Sequence, residues 1–580
     1  MSGNPRANHI LLLCFVLSSS VFFLFSTFRP SNSFHSSASL APIDRKFTLI
    51  LKVLAYNRLP SLTRCLRAIS SASYIPGDSV HLHIYLDHLP DSPSAPINQS
   101  HSILNFVDAF SWPHGEKVVH YRTRNAGLQA QWIEAWWPTS DNEFAFIIED
   151  DIEVSPLYYS FVRTAISHYY YNRSNFSPSI YGLSLQRPRF VPGKHGGKID
   201  LDSGARLLLY QLVGTWGQIL FPRPWKEFRV WYDEHKAKNL KPYIEGMVTT
   251  GWYQKLGEKI WTPWFIKFIH SRGYFNIYTN FRKERALSVS HRDPGVNYGK
   301  TAGPDSQLLS EDPRDFDLMA MPPLRSLKWY DFCFREVVPG RIVRSSDELE
   351  SLLHSFPNFQ SVLLVTIFET PDSVTRNLLC QFEKLGIRNY LLLGHHSDTL
   401  RDLARRGHPV VDADMLSKEM NYHDMNVFAM AYVIKTCVQQ GYSIWALNAN
   451  MVLASSDTLE QIFSPASDLS IWKEAGVFFA RGSSSSKQIW SDKLLRSVAA
   501  QKGEVSFAGV VLRLLQGEVK VERIDESKVG TLNAGEASSK KMMLWPADLN
   551  SSVVQKKLEE LNMWNLDADN SCKAVVCHPA

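Results

Sequence analysis

The sequence predicts an α/β protein made of two successive sheets behind an N-terminal membrane anchor. Three observations carry that expectation. From Phe47 to about Asp151, apolar strand-length runs alternate with amphipathic stretches, the pattern of a largely parallel sheet. The alternation stops in the Pro- and Asp-rich segment Thr301–Pro323 and restarts at Ser361–Phe368. Ile10–Phe28 is uncharged and long enough to span a bilayer. At 580 residues the chain exceeds one ordinary core. Its 44% hydrophobic and 12% aromatic content excludes a disordered chain. A net charge of +5 without a basic block offers no nucleic-acid surface.

At the N-terminus, residues 1–9 read as a short cytosolic tail, 10–28 as a signal-anchor and 29–45 as a serine-rich stem. A cleavable signal peptide is the alternative, but the apolar run is long for one and no clean small-x-small site follows immediately. An anchor of this kind places the body in the lumen. Asn98, Asn172, Asn175 and Asn550 each open an N-x-S triplet, which agrees with that placement. Of the seven cysteines, Cys572 and Cys577 are best placed for a local disulfide, and no C-x-x-C marks a zinc site.

Phe47–Ala55 is a β-rich run. Leu62, Cys65, Leu66 and Ile69 after it keep the spacing of a helix starting past Pro60 and Ser61. Val80–Leu86 is a second strand ending in Asp87. Lys117–Tyr121 is a third, followed by Arg124-Asn-Ala-Gly127 and a helix over Leu128–Trp137. Phe144–Ile148 then climbs into Glu149, Asp150 and Asp151. Adjacent acids repel one another, and a hard divalent cation with oxygen ligands relieves them. A solvated turn after a core strand is the simpler reading of an isolated E-D-D. The site reading gains from its company: Asn57, Asp87, Arg124 and the E-D-D all fall at strand ends, which converge on one rim of an open sheet.

These motifs in this order (A-Y-N-R after the first strand, a strand ending in Asp, R-N-x-G-L before a helix, and I-I-E-D-D-I-E-V-S-P) resemble GT-A nucleotide-sugar glycosyltransferases, nearest the N-acetylglucosaminyltransferase I-like group. Downstream, Gly214-Thr-Trp216-Gly217 resembles that group's loop beside the donor sugar, and Ser288-Val-Ser-His291 its S-H that closes over the nucleotide. The resemblance implies a GT-A (Rossmann-like) domain over residues 46–328 that uses Mn²⁺ or Mg²⁺. On it, Asn57 and Arg58 would border the nucleotide, Asp87 would hydrogen-bond its base or ribose, and Arg124 would approach from the third strand. Asp151 would ligate the ion bridging the phosphates, with His291 as a second contact. Glu149 and Asp150 would hold sugar and ribose hydroxyls, and Trp216 would lie beside the sugar. Such an ion neutralises charge growing on a nucleoside-diphosphate leaving group.

One part of the pattern is missing. The group places acids between paired tryptophans, whereas Trp261 and Trp264 here enclose Thr262 and Pro263. An inverting displacement needs a carboxylate on the acceptor side. Asp233, Glu234, Glu245 and Glu258 are the nearby candidates. Glu245, flanked by apolar residues, is the first choice as base, and Asp233, after Trp231-Tyr232, the alternative.

Residues 329–580 read as a second α/β domain, with strands at Ser361–Phe368, Asn389–Leu393, Pro409–Asp412 and Tyr442–Leu447 and helices at Thr375–Leu385 and Asn426–Gln440. This half resembles the nucleotide-diphospho-sugar transferase domain of plant wall transferases. It keeps Gly441-Tyr442, Trp445 and Val477–Arg481 but carries Asn448 and Asn450 at the two metal aspartates. Neutral amides hold a hard cation weakly, which implies a degenerate GT-A-like fold. Asp412 and Asp414 offer themselves as substitute acids, but an ordinary loop is the simpler reading.

The functional expectation is a Golgi-type, single-pass type II glycosyltransferase. It would move a sugar from a nucleotide-sugar (UDP-sugar) donor to a glycan or glycoprotein. The alternative is a silent pseudo-glycosyltransferase that binds glycan or scaffolds other Golgi enzymes. A hydrolase with paired carboxylates fits less well, because the acids sit at a nucleotide-like rim.

Overall fold

The computed structural model describes residues 46–578 apart from short stretches (90–96, 195–196, 200, 202–203, 311–317, 357–360, 419–424, 457, 459–467, 473–474, 501–505, 516–520, 524–527, 533–541 and 546–549). The anticipated tail, anchor and stem lie outside the described residues. Among the described residues, no helix is long and apolar enough to cross a membrane.

The first half is built on β1 (Thr48–Ala55), α1 (Leu59–Ser70), β2 (Ser79–Leu86), α2 (Ile97–Ala109), β3 (Lys117–Tyr121), α3 (Gly127–Glu134) and β4 (Glu143–Glu149). The four strands are parallel, in the order β3-β2-β1-β4. β4 passes through the acidic turn into β5 (Ile152–Val154), then α4 (Tyr158–Ile166). β6 (Ile180–Ser184), β7 (Leu207–Tyr210), β8 (Gln218–Leu220) and β9 (Phe275–Thr279) make the sheet mixed, β8 running antiparallel between β4 and β6. α5 (Pro222–Ala237), α6 (Val248–Leu256) and α7 (Thr262–Arg272) lie between β8 and β9 in sequence. A separate ribbon pairs β10 (Ser288–Ser290) antiparallel with β5. β11 (Trp329–Tyr330) and β12 (Glu336–Val337) complete ten strands.

Two-residue periodicity decides which face each side chain takes. Phe144, Phe146 and Ile148 of β4 pack with α1, α2 and α4, including Leu62, Cys65, Leu66 and Ile69 of α1 as their spacing requires. Ala145 and Ile147 face the other layer, with Trp132 of α3, Trp225 of α5 and Trp264 of α7. α3 stops at Glu134, short of the Trp137 expected from the sequence. Trp137 precedes Pro138, whose ring disfavours helix in the residue before it. Trp136 instead turns in and donates to Glu143 at 2.7 Å.

The second half opens with β13 (Ile342–Val343) and α8 (Ser346–His354). β14 (Ser361–Thr366), α9 (Asp372–Leu385), β15 (Tyr390–Gly394), α10 (Asp398–Arg405), β16 (Val410–Asp412), α11 (Met425–Gln439) and β17 (Ser443–Asn448) follow. β18 (Leu469–Trp472), β19 (Val477–Ala480) and β20 (Val521–Arg523) close an eight-stranded sheet. Its β16-β15-β14-β17 run repeats the order of β3-β2-β1-β4, and β19 is antiparallel to β17 as β8 is to β4. Asn448 pairs with Thr366 at the end of β14, just as Glu149 pairs with Leu54 near the end of β1. The two asparagines therefore stand where the first half carries its acids.

After α12 (Ser551–Glu560) the chain returns across the first half, and Ala574 bridges to Glu245. The expected Cys572–Cys577 disulfide does not form. Cys572 pairs with Cys380 of α9, and Cys577 with Cys333 beside β11. Docking of the C-terminal segment across both halves sets these partners, which lie 192 and 244 residues away in sequence.

Candidate functional site

The parallel strands deliver their carboxyl ends to one rim, because Ala55 is in register with Leu86, Leu86 with Tyr121, and Leu54 with Glu149. Half-buried Asn57 and Arg58 follow β1. The Arg58 guanidinium forms an ion pair with Asp150, reaches to 3.9 Å from Asp151, and donates to the Pro294 carbonyl at 3.0 Å. One cation thus meets two of the three acids.

That compensation is incomplete. Burial pushes the Glu149 carboxyl up to about 8, with the Asp151 charge adding to it, while the Trp132 indole N–H donates to its Oε1 at 3.0 Å. Burial also lifts Asp150 to about 6 against the pull of Arg58. It raises Asp151, with Arg58 and the Asp293 N–H opposing. Asp150 Oδ2 and Asp151 Oδ1 are buried without a hydrogen-bond partner. Two orphaned carboxylate oxygens in one buried corner carry a desolvation cost that a bound cation would remove.

The segment after β10 braces this corner. The His291 N–H donates to the Asp151 carbonyl at 2.9 Å, and the Asp293 N–H to Asp151 Oδ2 at 3.2 Å. Asp293 is held by Arg64 at 2.6 Å, Ser61 at 2.8 Å and Thr301 at 3.2 Å. Arg292 donates to the carbonyls of Gly303 at 2.8 Å and Ala302 at 3.0 Å. Asp305 accepts the Ser290 N–H at 2.7 Å. The start of the segment expected to be a linker is therefore part of the site. Trp216 joins from the other side: the Ser288 hydroxyl donates to its carbonyl, and Arg189 lies over its ring at 4.4 Å. Gly217, at φ +148, permits this, since a Cβ there would strike Ser288.

The remaining candidates divide. Asp87 accepts the N–H groups of Ala126 and Gly127, both at 2.8 Å, and so fixes the turn into α3. Arg124 in that turn is exposed and makes no hydrogen bond or ion pair among the described residues. Asp233 is exposed on α5. Glu245 is exposed in a different place, at a cavity of about 460 Å³ shared with His235, Lys241, Lys267, Asp567 and Asp569. Its backbone pairs with Lys573 and Val575, both at 2.9 Å. No contact joins either residue to the acidic corner among the described residues. Thr262 and Pro263 open α7. Glu258 is fixed by Lys236 at 2.8 Å and Gln129 at 2.6 Å. These contacts, with Tyr253, outweigh burial and hold it down to about 2, a weak base. Sequence reasoning missed Ser61, Arg64, Asp293 and Asp305. The visible signal was Asp293 two residues past His291; the rest follow only from the fold.

The residues present fit a hard cation in part. Asp151 offers an unpartnered oxygen. The Nε2 of His291 is engaged by Glu153 at 2.6 Å, the arrangement in which a carboxylate orients a ligating histidine through its other nitrogen. Among the described residues, no three His, Cys, Asp or Glu side chains gather to hold a metal ion. At the second rim, Asn448 Oδ1 accepts from Thr370 and from the Asn450 N–H, both at 3.0 Å, and closes a turn. Asp414 and Asp412 bind His395 and His396, each at 2.7 Å.

Residues 61–234, under a third of the chain, match the family described as the SPBC1E8.03c C-terminal domain; they run from α1 to α5 and include the acidic corner. No curated protein matches the chain. Among solved structures, residues 1–349 of S. aureus TarS share 12% identity at a TM-score of 0.22, over 31% of this chain and 48% of that one. The mannosyltransferase PcManGT from Pyrobaculum calidifontis, in complex with GDP-Man and Mn²⁺, shares 10% at 0.22, over 38% and 56%. A longer S. aureus TarS structure shares 9% at 0.23, over 68% and 49%. The chain spans about half the length of the solved structures it matches. At these scores the likeness carries no argument about this chain.

Proposed function

We propose that this chain is a divalent-cation-assisted glycosyltransferase that takes sugar from a nucleoside-diphosphate donor, a UDP-sugar, and passes it with inversion to a glycan or glycoprotein. The carrying observation is the buried corner of Glu149, Asp150 and Asp151, with two carboxylate oxygens unpartnered at the carboxyl rim of a parallel sheet. When bound, Mn²⁺ or Mg²⁺ would supply charge neutralisation for the leaving diphosphate. Asp151 and His291 are the residues to hold it. Glu149 and Asp150 remain as acceptors for donor hydroxyls, Arg124 is free to meet phosphate, and Trp216 offers an aromatic face to the sugar. An uncleaved anchor at Ile10–Phe28 would place the body in the Golgi lumen, and the two disulfides support an oxidising compartment. The test is UDP release from a panel of UDP-sugars with Mn²⁺. Release that disappears in Asp151→Ala supports the reading, and absence of release in the wild type counts against it.

A second reading, a non-catalytic donor-binding or scaffolding protein, draws on one observation. Of the acceptor-side carboxylates, Asp233, Glu234 and Glu245 are exposed and Glu258 is held at about 2. None is the desolvated carboxylate that an acceptor-side base requires. Donor binding without UDP release would select it.

A further inference from the structure

The N-x-S triplets play no part in sugar transfer, and the structure separates two that lie side by side. Asn172 and Asn175 sit in the turn after the π-helical extension of α4, Ser167–Tyr171. Asn172, Arg173 and Ser174 are all exposed. The Asn172 side-chain carbonyl accepts the Ser174 hydroxyl at 2.7 Å and the Ser174 N–H at 3.1 Å. The hydroxyl of the triplet therefore already lies against the amide it would help to activate. Asn175 is only 8% exposed, and its Oδ1 accepts the Leu324 N–H at 3.0 Å. A saccharide on Asn175 would have to be buried, so a chain carrying one could not reach this fold.

Position and compartment agree with that contrast. The Tyr170 and Tyr171 hydroxyls donate to Asp141 and Asn142, just before and at the foot of β4. Asn172 thus stands at the amino edge of the sheet, opposite the acidic rim, where an attached chain leaves the site open. Cys333, Cys380, Cys572 and Cys577 are disulfide-bonded, while Cys65 and Cys437 are buried, as in a chain matured under oxidising conditions. Asn550, by contrast, already serves as a helix cap, its Oδ1 accepting the Val553 N–H at 3.0 Å.

We propose that Asn172, and not Asn175, carries an N-linked oligosaccharide, an inference that rests on the lumenal placement above. Asn172 Nδ2 attacks the anomeric carbon of a lipid-diphosphate-linked oligosaccharide. The bond from that carbon to the phosphate oxygen breaks, the lipid diphosphate leaves with the electron pair, and Nδ2 gives up one proton as the N-glycosidic bond forms.

The full chain, made in eukaryotic cells with its own N-terminus, tests this by peptide mass spectrometry after peptide-N-glycosidase treatment in ¹⁸O-water, alongside a non-reduced digest. The expected result is ¹⁸O-aspartate at position 172, unchanged amide at 175, and both disulfides present. Intact disulfides with unmodified Asn172, or label at 175, overturn the inference. Free thiols at all four paired cysteines with no triplet modified overturn the lumenal placement itself and the inference with it.

Discussion

Replacing Asp150 by Asn in the metal-free protein isolates the electrostatic cost of the acidic corner. Burial raises the Asp150 carboxyl from 3.8 to about 6 despite Arg58. Between those values the folded chain binds a proton that the unfolded chain has released, so wild-type stability falls as pH rises through that window. A shift of about two units corresponds to about 3 kcal/mol. Unfolding entropy for a chain of this size is about 1 kcal/mol/K, so the effect is about 3 °C in Tm. The variant must be read against the wild type, because half-buried His83, His270 and His408, each lowered by desolvation to about 3, give an opposite slope between about 3 and 6.5. Scanning calorimetry from pH 4 to 7 should show the Asp150→Asn Tm gaining about 3 °C on the wild type. Mn²⁺ with UDP should then favour the wild type at pH 7. A difference that stays constant with pH, or shrinks as pH rises, would show that the corner is not strained by its own charge.

Other elements give separate tests. Lys267, 2% exposed, donates to Asp567 at 2.7 Å and Ser571 at 3.2 Å. Lys267→Met should cost about 3–5 kcal/mol by stranding the buried Asp569 carboxylate, which lies 3.9 Å from the Lys267 ammonium, seen as a lower Tm and faster C-terminal proteolysis. Unlinking Cys380 from Cys572 by a double serine substitution should cost up to about 5 kcal/mol on chain-entropy grounds; an unchanged melting curve would contradict the strap-like docking of the C-terminal segment. Glu245→Gln should leave UDP–Mn²⁺ affinity within about twofold, under about 0.4 kcal/mol, since Glu245 lies where the C-terminal segment docks. A tenfold loss by calorimetry would place it in the donor site.

The first sheet was legible because its strands are buried runs and α1 keeps Leu62, Cys65, Leu66 and Ile69 on one face. The rim followed from strand ends alone, which put Asn57, Asp87, Arg124 and the E-D-D together; the pairing of Arg58 with Asp150 did not follow from them. What closes the site could not. Ser61, Arg64 and Asp293 meet across more than 200 residues of chain, and no local pattern encodes such a contact. Thr301–Pro304 has the composition of a boundary, yet Arg292 gathers its carbonyls. The disulfides failed for the same reason: proximity in sequence favoured Cys572 with Cys577, whereas tertiary docking chose the partners. In the second half, asparagines in place of metal aspartates were readable, while the repeated strand order needed the structure.

Isothermal titration of residues 46–580 with UDP, with and without Mn²⁺, tests the central claim most directly. Binding should require the ion and weaken by at least tenfold, about 1.4 kcal/mol, in Asp151→Ala. Wild-type binding that is absent, that ignores Mn²⁺, or that survives Asp151→Ala unchanged would contradict it.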